Sequence, residues 1–205
     1  MRIKICGITD VDQARAVAKA GADAIGLVFY EKSPRRVSRL TAQTIVDALP
    51  PFVSSVGLFV NHTTEQVWQI LEQVSLDYLQ FHGDESPAFC QQFKRPYIKA
   101  IRVKEDVDLV QYTVDFNTAK ALLVDAYQEG VPGGTGRTFD WRLIPRELSK
   151  LIILSGGLTP ENVGQAIKAV KPWAVDVSSG VEQSPGIKDI NKCQAFIQGA
   201  RNEAV

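Results

Sequence analysis

Five side chains carry the types of group that act on a small anionic molecule. Cys6 closes the run Arg2-Ile3-Lys4-Ile5-Cys6, and Gly7 after it permits close approach of a ligand. Asp125 ends the apolar run Ala121-Leu122-Leu123-Val124 and precedes a stretch containing Gly130, Gly133, Gly134 and Gly136. His82 follows Tyr78-Leu79-Gln80-Phe81, and Arg35 and Arg36 follow Ser33-Pro34. A thiolate can take a proton and a protonated carboxyl can give one, so Cys6 and Asp125 together suit acid–base chemistry. An arginine fork suits a carboxylate through two parallel hydrogen bonds. Each residue also has an ordinary reading. A buried cysteine packs as a small apolar side chain, an interior histidine is simply hydrogen-bonded, and an arginine pair on a loop is solvated. Aspartate favours turns.

A second signal lies in the last quarter of the chain. Leu154-Ser155-Gly156-Gly157-Leu158 and Asp176-Val177-Ser178-Ser179-Gly180-Val181-Glu182 are two glycine- and serine-bearing segments at comparable places in successive units. Glycine lets backbone N–H groups close on phosphate oxygens, and serine hydroxyls add donors. Gly156, Gly157, Ser178, Ser179 and Gly180 are therefore the candidate phosphate cradle.

What would bring these groups together is an alternation of strands and helices. Short β-branched runs at 2–6, 24–29, 53–60, 78–82, 97–103, 121–125, 151–155 and 174–178 read as strands. Helix-like segments follow at 12–20, 41–49, 64–74, 87–93, 106–114, 141–148, 160–170 and 189–199. Thr9-Asp10 and Thr159-Pro160-Glu161 look like helix starts, and Gly21 like a helix stop. The pattern predicts the α/β class with a parallel sheet. Eight units suggest a single (β/α)8 TIM barrel over 1–205, with an open doubly wound sheet as the alternative. Side chains alternate along a strand. If Ile3 and Ile5 face the helices, Arg2, Lys4 and Cys6 face the interior, and on the last strand Asp176 and Ser178 do. First and last strands adjoin in a closed barrel, so Lys4 and Asp176 are expected to pair, as buried charges must. Asp125, Gln80 and His82 point inward on the same logic. Cys6, His82 and Asp125 then meet at the carboxyl ends of strands, the face where such barrels build active sites. The long irregular stretch 126–140 belongs to that face too.

Composition narrows the partners. The 205 residues are 45% hydrophobic and 22% charged, with 23 basic and 23 acidic side chains. This balance offers no basic stripe for nucleic acid, and any anion must be held by a local arrangement. No apolar run reaches the roughly 18 residues of a membrane span. The strand directly after Met1 reads as no signal peptide. Cys6, Cys90 and Cys193 are too few and too scattered for a disulfide framework or a zinc site. The expectation is a cytoplasmic protein with no metal and no membrane, acting as a monomer.

The motifs together resemble the phosphoribosylanthranilate isomerase family. They are Lys-Ile-Cys-Gly-Ile-Thr at 4–9, Gly-Ala-Asp-Ala-Ile-Gly-Leu-Val-Phe-Tyr at 21–30, Ser-Pro-Arg-Arg at 33–36 and Gly-Leu-Phe-Val-Asn at 57–61. Leu-Gln-Phe-His-Gly-Asp-Glu at 79–85, Gly-Gly-Thr-Gly-Arg-Thr-Phe-Asp-Trp at 133–141, Leu-Ser-Gly-Gly-Leu-Thr-Pro-Glu-Asn-Val at 154–163 and Val-Asp-Val-Ser-Ser-Gly-Val-Glu at 175–182 complete them. The resemblance implies an Amadori rearrangement of a phosphorylated aminosugar in tryptophan biosynthesis, without metal or organic cofactor. It implies Cys6 as general base, Asp125 as general acid, Arg35 on the anthranilate carboxylate and the two glycine loops on the phosphate. Gln80 and His82 remain candidates for substrate contact. The base needs help to ionise, from Lys4 or from a substrate cation, because a free thiol titrates near pH 8.5. The alternatives are another phosphate-binding barrel isomerase or an aldolase, or a barrel that binds ligand without catalysis. The first pair would need a glutamate base, a Schiff-base lysine or a metal cluster, for which Lys4 and Lys99 bring no supporting motif.

Overall fold

The computed structural model describes residues 1–104, 106–126, 141–145 and 147–203. Eight parallel strands close on themselves in chain order: β1 (Arg2–Cys6), β2 (Ala24–Val28), β3 (Ser54–Phe59), β4 (Tyr78–Phe81), β5 (Tyr97–Val103), β6 (Ala121–Ala126), β7 (Leu151–Leu154) and β8 (Ala174–Val177). Closure is made by β1 against β8, with Lys4 opposite Asp176. The expected ion pair is formed, Lys4 Nζ to Asp176 Oδ1 at 2.8 Å. The (β/α)8 reading therefore holds, and the open sheet is excluded.

Alternation along the strands separates two cores. Outward residues such as Ile3, Ile5, Ile25, Leu27, Phe81 and Val175 are buried under the helices. Inward residues Val56, Ile98, Ala100, Ala121, Leu123, Ile153 and Ala174 fill the barrel itself as a smaller cluster. The filled interior makes the barrel a packed body with its chemistry confined to the mouth.

The helices are α1 (Val11–Ala20), α2 (Arg39–Asp47), α3 (Thr64–Leu71), α4 (Pro87–Gln91), α5 (Leu109–Asp115), α6 (Val163–Val170) and α7 (Ile190–Asn202). Their starts follow side-chain capping. Asp10 accepts from the Gln13 N–H, and Thr63 and Gln66 form a reciprocal capping box. α1 stops at Gly21, as expected, in the left-handed conformation at φ 105°.

Two helix expectations fail. Over 141–148 only a 3-10 turn, Trp141–Leu143, is described, because Pro145 has no N–H and disfavours a helical Ile144. α6 begins at Val163 rather than at Pro160. Asn162 stands at its N-cap without capping it, its side chain being spent on the preceding turn. The glycine-rich stretch 127–140 lies outside the described residues. After β8 come a 3-10 turn (Ser179–Val181) and a small antiparallel hairpin, β9 (Glu182–Ser184) with β10 (Ile187–Lys188). The sequence reading contained no such hairpin. No described helix is long and apolar enough to cross a membrane.

Candidate active site

The carboxyl ends of the strands surround a cavity of about 200 Å³ lined by Cys6, Arg35, Gln80, His82 and Asp125, with Gly156, Gly157, Ser178, Ser179 and Gly180 along its rim. Apart from Arg36, the candidate site residues thus border one space. Strand geometry accounts for Cys6, Gln80, His82 and Asp125, which lie on inward-facing rows, while loops that leave the carboxyl ends of the strands bring in Arg35 and the glycines.

Cys6 is nearly buried at the end of β1, opposite Gly26 of β2. A Cβ at Gly26 would stand 2.6 Å from the Cys6 sulfur, so the neighbouring strand leaves the thiol its space only by having no side chain. Burial pushes the Cys6 thiol above its ordinary pKa, against the opposing pull of Lys4, while Asp176 adds to the rise. Lys4 is therefore insufficient to ionise it. Its charge is already shared with Asp176, which more than offsets burial and keeps the lysine protonated.

Asp125 ends the inward row of β6 and is buried. His82 Nε2 lies 3.1 Å from Asp125 Oδ2, and Gln80 Nε2 lies 2.9 Å from His82 Nδ1. With the amide donating to Nδ1, the ring carries its proton on Nε2 and donates to the Asp125 carboxylate. Gln80 Oε1 is buried and has no hydrogen-bond partner among the described residues. The reverse arrangement would turn that oxygen to an Nδ1–H and leave Nε2 to accept a proton from a protonated Asp125. His82 and Gln80 thus reach the candidate acid directly.

Arg102, not singled out from the sequence, also lines the cavity, opposite Asp125 in the β5–β6 register. The alternation Ile98, Ala100, Arg102 along β5 contained that signal.

Gly156 and Gly157 take positive φ values of 84° and 65°, a conformation in which L side chains are strained. Neither of their N–H groups has an acceptor among the described residues. Asn162 pins this turn, donating to the Gly157 carbonyl at 2.9 Å and accepting from the Thr159 N–H at 2.8 Å. The neighbouring loop is pressed against it, since a Cβ on Gly180 would fall 1.9 Å from the Leu158 carbonyl oxygen. Ser178 differs from its neighbours: its hydroxyl donates to the Cys6 carbonyl at 3.0 Å, tying β8 to β1.

The two arginines part company. Arg36 is half-exposed and approaches only Glu31, at 3.7 Å. Arg35 Nε and Nη2 each donate to Glu182, both at 2.7 Å. Glu182 also accepts from Lys188 Nζ at 2.8 Å and from the Gly186 N–H at 3.3 Å. Burial alone would raise the Glu182 carboxyl, but the bonds from Arg35 and Lys188 hold it below the usual carboxylate range. Neither Glu182 nor Lys188 was visible as a site residue in the sequence. Among the described residues no three His, Cys, Asp or Glu side chains gather as a metal-binding set.

Residues 3–199 match a family model described as N-(5'-phosphoribosyl)anthranilate (PRA) isomerase. A relative from Pseudomonas fluorescens (strain SBW25), named N-(5'-phosphoribosyl)anthranilate isomerase, is 58% identical over 204 residues, covering 100% of this chain and 97% of the relative. The crystal structure of phosphoribosyl anthranilate isomerase from Thermotoga maritima superposes with a TM-score of 0.91 at 41% identity, covering 98% of this chain and 99% of that one. A crystal structure of the isomerase in complex with reduced 1-(o-carboxyphenylamino)-1-deoxyribulose 5-phosphate superposes with a TM-score of 0.87 at 40% identity, again over 98% and 99%.

Proposed function

The chain belongs to the N-(5'-phosphoribosyl)anthranilate isomerase family, and from that premise we propose how its own groups divide the reaction. The activity is the isomerisation of N-(5'-phosphoribosyl)anthranilate to 1-(o-carboxyphenylamino)-1-deoxyribulose 5-phosphate, an Amadori rearrangement of tryptophan biosynthesis. Asp125, protonated, gives its proton to the furanose ring oxygen. The C1'–O bond breaks as the anthranilate nitrogen supplies its lone pair, leaving an open-chain iminium. Cys6, as thiolate, takes the C2' proton, and its electrons neutralise the iminium to give an enolamine. That species tautomerises to the ketone by moving a proton from the C2' hydroxyl to C1'. The proton held on Cys6 balances the one given by Asp125, so the enzyme is restored by exchange through solvent.

One observation carries this reading: Cys6 and Asp125 stand at the carboxyl ends of two different strands yet border one cavity, together with the glycine-bearing loops and Arg35. Burial holds the free thiol above its ordinary range. The cation that ionises it is then the substrate's own iminium, formed only after Asp125 has acted. Arg35 takes the anthranilate carboxylate through its unoccupied edge, and the N–H groups of Gly156, Gly157, Ser179 and Gly180 take the phosphate. The Ser178 hydroxyl serves the cradle by holding β8 to β1 rather than by bonding the phosphate. Gln80 and His82 fit the carboxylate of the free site with Nε2–H donating, and fit a protonated Asp125 in the working complex by the reverse arrangement, with Nε2 accepting. All these groups come from one chain, so the working unit we propose is the monomer. Three free thiols suit a reducing cytoplasm.

Two variants test the order of steps. Cys6→Ala should lose roughly 10²–10⁴-fold in kcat, the usual worth of a placed base, on closed and ring-opened substrate alike. Asp125→Asn should lose at least about 10²-fold on the closed sugar but act far better on an analogue already opened to the imine. Equal impairment of Asp125→Asn on both forms would remove Asp125 from ring opening.

A further inference from the structure

Arg35 is already bonded before any substrate arrives. Its Nε and Nη2 occupy both oxygens of Glu182 at 2.7 Å, a side-on fork that consumes one edge of the guanidinium. Nη1 donates to no acceptor among the described residues, so the end-on edge shared by Nη1 and Nη2 is left free. Arg35 lines the cavity, whereas Glu182 does not. Glu182 therefore grips the back of the guanidinium and leaves its front to the ligand. The stem is threaded through a space that only glycine leaves, since a Cβ on Gly7 would stand 2.6 Å from Arg35 Cδ.

Charge completes the arrangement. Arg35 with Glu182 alone would be a neutral pair with little attraction for a carboxylate. Lys188, whose side chain is fully buried, bonds Glu182 Oε1 at 2.8 Å and the Ser178 carbonyl at 3.1 Å. Two cations and one carboxylate leave the cluster one net positive charge. We infer that Glu182 and Lys188 are positioning residues that make Arg35 selective for a substrate carboxylate, Glu182 by aiming the fork and Lys188 by restoring its charge. The β9–β10 hairpin, which brings Glu182 and Lys188 together, is on this view a specificity element. The inference rests on the assignment of Arg35 to the carboxylate.

The test is the double variant Glu182→Gln with Lys188→Met. It keeps the cluster's net charge and leaves no buried lysine without a counterion; the bond from Lys188 to the Ser178 carbonyl is lost for both substrates alike, so a difference between substrates reports the aim of Arg35. Two substrates are compared, the anthranilate derivative and the analogue with aniline in its place, which lacks the carboxylate. The double variant should raise KM for the anthranilate substrate roughly 10-fold more than KM for the aniline analogue, with kcat within about threefold. Glu182→Asp, which keeps the charge but shortens the reach, should show a smaller rise of the same kind and decides the matter if the double variant does not fold. Wild-type preference for the carboxylate in both variants would overturn the positioning role. Arg35→Met separates the two ideas: if it raises KM equally for both substrates, the carboxylate assignment itself is wrong. If Arg35→Met abolishes the preference while the Glu182 variants retain it, Arg35 stands and the inference falls.

Discussion

His82 has two ring nitrogens and two protein partners, and only one of them fixes where its proton sits. Gln80, buried beneath it, donates to Nδ1, so Nε2 holds the hydrogen that faces Asp125. The chain contains only His62 and His82, and His62 Nδ1 likewise accepts, from the Val60 N–H at 3.2 Å. Nitrogen-15 spectra of the free protein should therefore show both rings as the Nε2–H form. Gln80→Leu should leave His62 unchanged, give His82 a mixture of the two neutral forms and lower kcat about 10-fold, the worth of one hydrogen bond in the transition state. An unmixed His82 signal in that variant would mean that Asp125, not Gln80, sets the tautomer. The site's inward side chains were legible because strand alternation is a rigid rule: Cys6, Gln80, His82, Asp125 and the Lys4–Asp176 pair all fell where period two puts them. The grip of Glu182 on Arg35 was not, because it joins residues 147 positions apart, one on a loop and one opening a three-residue strand, and no local pattern sets the course of either.

At the scale of elements, the turn between β7 and α6 shows a helix giving up its own cap to build a loop. Asn162 stands where a side chain would ordinarily cap α6, and instead bonds Gly157 and Thr159. The two left-handed glycines are held with N–H groups that have no acceptor among the described residues. Asn162→Ala should loosen that turn, raising the inhibition constant of inorganic phosphate roughly 10-fold and costing about 1 kcal/mol of stability for the lost bonds. Titrating phosphate against the Asn162→Ala and Cys6→Ala variants checks this. Weaker phosphate binding belongs to the first alone, and equal binding in both would detach the turn from the anion site. Strands were easier to read than helices for a related reason. The strands are buried apolar runs whose ends are marked by polar residues, while Pro145 and Asn162 move helix boundaries through local bonding that hydrophobic period does not report. β9 and β10, three and two residues long, are too short to show a period at all. Ser184-Pro185-Gly186 marks their turn, but without flanking periodic runs it names no hairpin.

Across the whole molecule, the formal charge is zero and the buried thiols become the groups that govern stability in alkali. Cys90 on α4 and Cys193 on α7 lie fully buried against the outer face of the barrel. Burial pushes Cys90 up to about 12 and Cys193 up to about 11, and Cys6 is raised as well. The unfolded chain would release these protons near the ordinary thiol value of about 8.5–9. Between that value and the folded one, the unfolded state binds fewer protons than the native state. Stability is then fully present below about pH 9 and falls as pH rises, by about 1.4 kcal/mol per pH unit for each thiol in its window. Lys188 works the other way, since burial lowers its pKa and its share of stability grows with pH before the unfolded lysine titrates. It offsets one thiol, not three. Urea unfolding between pH 8.5 and pH 10.5, on the order of the window set by these values, should show a steep loss in the wild type. Cys90→Ala will start lower at neutral pH because it opens a small void. Its decline with pH should nonetheless be shallower by about 1.4 kcal/mol per pH unit, so that the two curves converge in alkali. Parallel curves would mean that Cys90 gains water before it ionises, and that the outer layer under α4 opens locally well below the midpoint of global unfolding.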